Sequence, residues 1–133
     1  MRLPLTVELL ALPKEVAEVR RMVEGDDVRL CVSELLTNVI RHVGEGTPVT
    51  VRVVAKRGGR TRVAVTDPDP RVWPVLQHVA HEAESGRGLA LLDALAARWG
   101  VDQGPYGKTV WCELRAGRPS VSPGGHGPAR MRP

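Results

Sequence analysis

The sequence predicts an α+β fold: a two-layer sandwich with a mixed, mostly antiparallel sheet and helices on one face. Strand-like and helix-like segments alternate along the chain, and a short glycine turn joins two of the strand-like segments, which requires antiparallel pairing. Hydrophobic residues make up 42% of the 133 residues, enough for one sizeable core.

The N-terminal third of the chain predicts one strand followed by two helices. Residues 5–10 alternate between apolar and polar side chains, which is typical of a half-buried strand. Residues 14–24 follow a proline and place valines at helical spacing, so they predict a helix. A second helix is expected from the aspartates at 26–27, which can cap it, to about Val43, just before a glycine.

The rest of the ordered chain predicts three strands and two helical segments. Residues 49–56 and 61–67 read as strands around the turn RGGR. Residues 68–84 begin with prolines and then suggest a short helix. Residues 86–100 predict a glycine turn and a helix that ends at the last glycine of this range, and residues 107–114 predict the final strand.

Composition and charge predict where the domain ends and argue against one class of partner. Residues 117–133 are rich in Gly, Pro and Ser, so we expect a disordered tail after a domain at 1–116. The formal net charge is +4, but this tail carries three arginines and no acidic residue, which leaves +1 on residues 1–116. A nearly neutral domain argues against direct nucleic-acid binding.

The sequence also predicts the compartment of the protein. No apolar run approaches the ~18 residues of a membrane span, and the N-terminus does not have the pattern of a signal peptide. Cys31 and Cys112 lie inside apolar patterns, so two reduced, buried thiols are expected rather than a disulfide. We therefore expect a cytoplasmic protein without a membrane partner.

The stretch SELLTNVIRH contains an asparagine in the middle of a predicted helix, where its amide competes with backbone hydrogen bonds. Projected at about 100° per residue, Glu34, Asn38 and Arg41 lie opposite the apolar arc, with His42 at its edge. A solvated polar face is the ordinary interpretation of this pattern. The alternative is that this polar stripe of the predicted helix, formed by the four residues just named, binds a ligand.

Three further motifs follow along the chain, and each has an ordinary alternative. Asp67 ends a strand before a proline, which also suits a simple turn. Gly86 and Gly88 stand just before a predicted helix, where backbone N–H groups can bind phosphate, but a tight entry turn also uses glycine. Thr109, in GKTVW, begins the last strand.

Taken in this order, the four motifs resemble the Bergerat-type (GHKL) ATP-binding fold of histidine kinases, gyrase, Hsp90 and MutL. The resemblance covers about residues 5–115 and is greatest to the bacterial anti-sigma-factor serine/threonine kinases and their actinobacterial relatives. It implies an ATP-binding regulatory protein, an anti-sigma factor with serine/threonine kinase activity towards an antagonist. A non-catalytic ATP-binding switch that sequesters a protein partner is the alternative.

The resemblance implies a role for each residue of the site. Asn38 would hold Mg²⁺ through its side-chain oxygen, and Glu34 would be the catalytic general base. His42 closes the same helical motif. Asp67 would accept a hydrogen bond from the exocyclic amine of adenine, with Thr109 supporting Asp67 through a water.

The phosphates would meet a glycine-containing loop and a lid. The lid corresponds to residues 68–85, and the loop to Gly86, Arg87, Gly88 and Leu89. One position departs from the pattern of the superfamily, because Asp69 stands where many members have a glycine.

The resemblance also implies cofactors and partners. The cofactors are ATP and Mg²⁺. The partners are a sigma factor, an antagonist of the STAS type, or both, and a homodimer is compatible with the family.

Overall fold

A computed structural model of the chain describes residues 3–71 and 96–115. These residues form two α-helices, a short 3-10 helix at Arg57–Gly59 and five strands in one sheet of order β1-β2-β3-β5-β4, in which every neighbouring pair is antiparallel. The predicted α+β fold is confirmed, with an antiparallel sheet. The elements in chain order are β1 (Leu5–Leu10), α1 (Pro13–Met22), α2 (Asp26–His42), β2 (Pro48–Ala55), β3 (Thr61–Asp67), β4 (Ala96–Gly104) and β5 (Gly107–Leu114).

Local chemistry explains where the two helices begin. Pro13 stands in the first turn of α1, where its fixed φ suits the helix and its missing N–H is not needed. The Glu15 carboxylate accepts a hydrogen bond of 2.8 Å from the backbone N–H of Leu10, which joins this first turn to the end of β1. Two aspartates occupy the first turn of α2 and two basic residues its last turn, as the helix dipole favours. The N-cap residue is Gly25 and no side chain of the described residues caps the helix, so the predicted aspartate cap is wrong.

The core lies between the helices and one face of the sheet. Helix α2 contacts β3 and β5, and α1 contacts α2 and β1. Along β3, Val63, Val65 and Asp67 are buried on the helix side, while the intervening side chains point to the other face. The largest fully buried side chains of the core include Leu35, Leu36, Val51 and Val53. The second face of the sheet, which we call the open face, has no helix packed on it among residues 3–71 and 96–115.

Residues 96–104 form strand β4, so the predicted helix over 86–100 is wrong in its last part. Trp99 pairs with Cys112 and Val101 with Val110 across the β4–β5 ladder, and both Trp99 and Val101 pack against the core. The alanine-rich sequence favours a helix locally, but pairing with β5 overrides that preference. Residues 86–95 lie outside the described residues.

Cys31 and Cys112 form a disulfide that joins α2 to β5, so the prediction of two reduced thiols is wrong. Both cysteines are fully buried, as their apolar surroundings indicated. They are separated by 81 residues, and only the packing of α2 on β5 brings them together.

No helix within the described part of the chain is long and apolar enough to cross a membrane. The predicted tail at 117–133 lies outside the described residues and stays a prediction.

Candidate functional site

A small pocket lies between α2 and the ends of β3 and β5. Three of the residues predicted for the site contribute to its wall, together with a lysine that was not predicted. The remaining wall is apolar, so the polar groups converge in an otherwise hydrophobic recess, as is typical of a ligand site. The lining residues are Leu35, Asn38, Val39, His42, Val43, Val65, Asp67, Lys108 and Val110.

Asn38 is buried, with only 8% of its surface exposed. The solvated-face interpretation of the α2 stripe is therefore wrong for this residue. Its Nδ2 has no hydrogen-bond partner among the residues that the structure describes. Since an unsatisfied buried amide costs free energy, its position requires an explanation, and a bound ligand would supply one.

Glu34 and His42 lie one helical turn before and after Asn38 on α2. His42 is half-buried and forms part of the pocket wall. Glu34 is also half-buried, but it is not among the lining residues. The helix therefore presents Asn38 and His42 to the pocket and places Glu34 beyond it, towards the start of α2.

Asp67 is 2% exposed and ends β3 at the pocket. Its Oδ1 accepts hydrogen bonds from the backbone N–H of Asp69, at 2.8 Å, and from Lys108 Nζ, at 3.2 Å. Its Oδ2 also lies 3.2 Å from Nζ, as an ion pair, but makes no hydrogen bond within the described structure. One oxygen of the carboxylate is thus held in place and the other retains its accepting capacity.

Lys108 is the polar pocket residue that the sequence did not predict. It is 4% exposed and pairs directly with Asp67 across the β3–β5 ladder. Its ammonium also donates a 3.2 Å hydrogen bond to the backbone carbonyl of Asp69. The signal was present in the sequence, because Lys108 alternates with Val110 and Cys112, which face the core.

Thr109 lies on the opposite face of the sheet from Asp67. Its hydroxyl is 2.7 Å from that of Thr66 on the exposed side of the β3–β5 ladder. The prediction that Thr109 supports Asp67 is therefore wrong. The physical reason is the period of two in a strand, since a shift of one residue moves a side chain to the other face.

Gly107 permits the close approach of β5 to the end of β3. A Cβ at this position would collide with the backbone carbonyl oxygen of Asp67 and would lie 3.2 Å from the Cα of Pro68. Only glycine therefore fits where the two strands place Asp67 and Lys108 side by side.

Asp69, at the position where the resemblance leads us to expect a glycine, makes two contacts in the structure. Its backbone N–H holds Asp67, and its carboxylate binds Arg71 with Nη2–Oδ2 at 2.6 Å and Nε–Oδ1 at 2.9 Å. Hydrogen bonds from the Arg71 side chain, and then from the Arg71 backbone, lower the pKa of Asp69 to about 2. The substitution thus fixes the turn after β3 as an ionic turn.

The pocket volume is about 10 Å³, close to the space of one water. A purine base therefore enters only when side chains of the wall move apart. The predicted phosphate-side residues Gly86, Arg87, Gly88 and Leu89, and the predicted lid beyond residue 71, lie outside the described residues. Their roles stay predictions.

The chain belongs to the histidine kinase-like ATPase domain family, whose model matches residues 9–114. Membership of this family implies an ATP-binding domain with a regulatory function. The predicted GHKL-type fold is confirmed at this level.

The chain is also similar to two individual proteins. The chain is 57% identical, over 91 residues, to an uncharacterized protein of Streptomyces coelicolor, covering 68% of this chain and 86% of that protein. It is also similar to the histidine kinase domain of a blue-light activated histidine kinase from Erythrobacter litoralis, with 26% identity and a TM-score of 0.48. That match covers 66% of this chain and 42% of the kinase chain, so the present chain spans less than half of its length.

Proposed function

We propose that this protein is an ATP-dependent anti-sigma factor with serine/threonine kinase activity towards an antagonist of the STAS type. One observation carries the nucleotide-binding part of the proposal. Asn38, from α2, and Asp67, from β3, are buried in the same pocket, and each has a polar atom without a hydrogen-bond partner among the described residues. A pocket that retains donor and acceptor capacity in an apolar wall suits a polar aromatic ligand.

Asp67 would recognise the base. Its Oδ2 is an acceptor, and the exocyclic amine of adenine is a donor. The corresponding group of guanine is a carbonyl, which a carboxylate rejects. This supports adenine nucleotides over guanine nucleotides.

Asn38 would hold Mg²⁺ when the nucleotide is bound. Its amide oxygen is the kind of hard ligand that Mg²⁺ accepts, and this ion is commonly held by one or two protein oxygens together with phosphates. The described residues hold no group of three or more His, Cys, Asp or Glu side chains that would form a metal site by themselves. Bound Mg²⁺ would supply positive charge against the phosphates.

Glu34 would accept the proton of the attacking hydroxyl. It lies one turn from Asn38 on the same stripe of α2, outside the pocket that would hold the base. The acceptor would be a Ser or Thr of the antagonist, docked near α1. Phosphoryl transfer depends mainly on positioning and charge stabilisation, so a single carboxylate at the acceptor side is sufficient as the base.

The test is transfer of radiolabelled phosphate from ATP to STAS-type antagonists encoded beside the gene. Glu34→Ala is expected to retain ATP binding and to lose transfer by about 100-fold or more, the usual size of a general-base effect. Asn38→Ala is expected to lose Mg²⁺-dependent binding and transfer together. Glu45→Ala is the matched control, because Glu45 is exposed beyond the end of α2.

A non-catalytic ATP-binding switch that sequesters a sigma factor is the second candidate. One observation favours it: Glu34, the proposed general base, does not line the pocket, and a switch needs no base. If the wild type labels no antagonist but binds a sigma factor in an ATP-dependent manner, the kinase proposal fails and the switch stands.

A further inference from the structure

The Lys108 ammonium has hydrogen-bonding capacity that the described residues do not use. An ammonium has three N–H donors. One is directed to Asp67 Oδ1 and one to the backbone oxygen of Asp69, both at 3.2 Å. The ion pair between Nζ and Asp67 Oδ2 has no hydrogen bond, which leaves one donor beside the pocket.

Lys108 and Asp67 therefore present a donor and an acceptor side by side. The two atoms, Lys108 Nζ and Asp67 Oδ2, are 3.2 Å apart, and both residues line the pocket. Because both side chains are almost fully buried, a ligand that enters must match this pair or leave it unsatisfied.

The Watson–Crick edge of adenine presents a hydrogen-bond donor and an acceptor that complement this pair. Its exocyclic amine is a donor, and the adjacent ring nitrogen N1 is an acceptor. We propose that Lys108 is a base-reading residue that donates a hydrogen bond to N1, while Asp67 Oδ2 accepts one from the amine. The inference rests on the proposed function, in that it takes the pocket as the site of the adenine base.

The pair would also discriminate between purines. In the same position, guanine directs its N1–H donor at the ammonium and its carbonyl oxygen at the carboxylate, so both contacts are repulsive. Asp67 alone opposes guanine at one position, and Lys108 adds the second. With Lys108, two contacts rather than one would therefore distinguish adenine from guanine.

The experiment compares ATP with 1-deaza-ATP, which replaces N1 by C–H, and uses 7-deaza-ATP as the matched control. Calorimetry with the full chain and Mg²⁺ is expected to show 1-deaza-ATP at least about tenfold weaker than ATP, the size of one charged hydrogen bond. The affinity for 7-deaza-ATP is expected to be within about twofold of that for ATP, since N7 is not read by the pair.

Lys108→Met then tests the assignment to this residue. The variant is expected to bind ATP about as weakly as the wild type binds 1-deaza-ATP, and to lose the preference between the two ligands. Lys108→Gln retains an N–H donor and is expected to keep part of the preference. Melting temperatures show whether each variant folds.

The outcomes separate this inference from the proposed function. If the wild type binds ATP but does not distinguish 1-deaza-ATP, or if the preference persists in Lys108→Met, the role of Lys108 is overturned and the nucleotide site stands. If the wild type binds no nucleotide, the proposed function fails and the inference fails with it. If Lys108→Met does not fold, the role of Lys108 is decided by two other results. These are the ratio of the wild-type affinities for ATP and 1-deaza-ATP, and the same ratio in Lys108→Gln.

Discussion

Asp67 and Glu113 are buried carboxylates on opposite faces of the same sheet, and their surroundings differ. Glu113, on the open face, lies 3.0 Å from Arg98 Nε and 3.4 Å from Arg62 Nη1, with Arg60 Nη1 at 3.9 Å. Asp67, in the pocket, has one ammonium, one backbone N–H and an oxygen without a hydrogen bond in the described structure.

The arginines around Glu113 also cover an aromatic ring. The guanidinium carbon of Arg62 lies 4.4 Å from the centre of the Trp111 ring, and that of Arg98 lies 5.6 Å from it. Hydrogen bonding and charge from Arg98, followed by the charge of Arg62, lower the pKa of Glu113 against the opposing effect of its burial. Both carboxylate oxygens of Glu113 therefore accept hydrogen bonds from arginines.

The difference shows what separates a structural ion cluster from a candidate site. Burial of a carboxylate is common to both faces, so burial alone does not identify function. Each face has a buried polar atom without a hydrogen-bond partner among the described residues, Asp67 Oδ2 in the pocket and Trp111 Nε1 on the open face. Of the two, Asp67 Oδ2 is the carboxylate oxygen in an apolar pocket wall, and this supports a ligand there.

Removing the cation from each carboxylate should have the largest effect and the clearest contrast. Lys108→Met leaves Asp67 with no cation within bonding distance among the described residues, and we expect a loss of about 3 kcal/mol or more in the free energy of unfolding. Arg98→Met should cost at most about 1 kcal/mol, because the Arg98 side chain is 63% exposed and two other arginines remain near Glu113.

Urea unfolding of the two variants at neutral pH measures this contrast. Equal losses would show that the two carboxylates depend on their cations to the same degree. A double variant, Asp67→Leu with Lys108→Met, should recover much of the loss, since it removes the unpaired charge.

Alanine substitutions of two glycines, one in each region, should have a smaller effect, and they can be compared directly through the affinity for ATP. Gly107→Ala forces β5 away from the backbone of Asp67, so we expect about tenfold weaker ATP binding, or about 1.4 kcal/mol. Gly100→Ala places a Cβ 2.8 Å from Cζ2 of the Trp111 ring on the open face. It should change tryptophan fluorescence but leave ATP affinity within about twofold.

Calorimetry with ATP and emission spectra of both alanine variants would check this. A comparable loss of ATP affinity in Gly100→Ala would connect the open face to the pocket and would contradict the separation of the two regions.

The smallest expected effect is on acid stability. The pKa values of Asp69 and Glu113 are lowered in the folded state, so their stabilisation is complete above the unfolded pKa values, about 4, and is lost as the pH falls through the folded values. For Asp69 the loss should extend down to about pH 2. The melting temperature should therefore fall with pH over this range.

Melting curves between neutral pH and pH 2 test both groups. Asp69→Asn and Glu113→Gln should each show a shallower fall than the wild type, by a modest amount, because Arg71 and Arg98 are exposed to solvent and salt. An unchanged slope in both variants would mean that neither ion pair contributes to acid sensitivity.

The sequence by itself determined the features that depend on neighbours along the chain. The spacing of apolar residues predicted β1, α1, α2, β2, β3 and β5 to within two residues at either end. The polar stripe singled out Asn38, and the proline after β3 singled out Asp67, because both signals are local. The family followed from the order of such motifs.

Tertiary structure decided the features that depend on pairing between distant segments. Residues 96–104 became a strand because β5 pairs with them. The register of β3 against β5 placed Lys108 rather than Thr109 beside Asp67, and the packing of α2 on β5 joined Cys31 to Cys112. The physical reason is the same in each case: strand register and helix packing are set by contacts far apart in sequence, and a shift of one residue reverses which side chain enters the site.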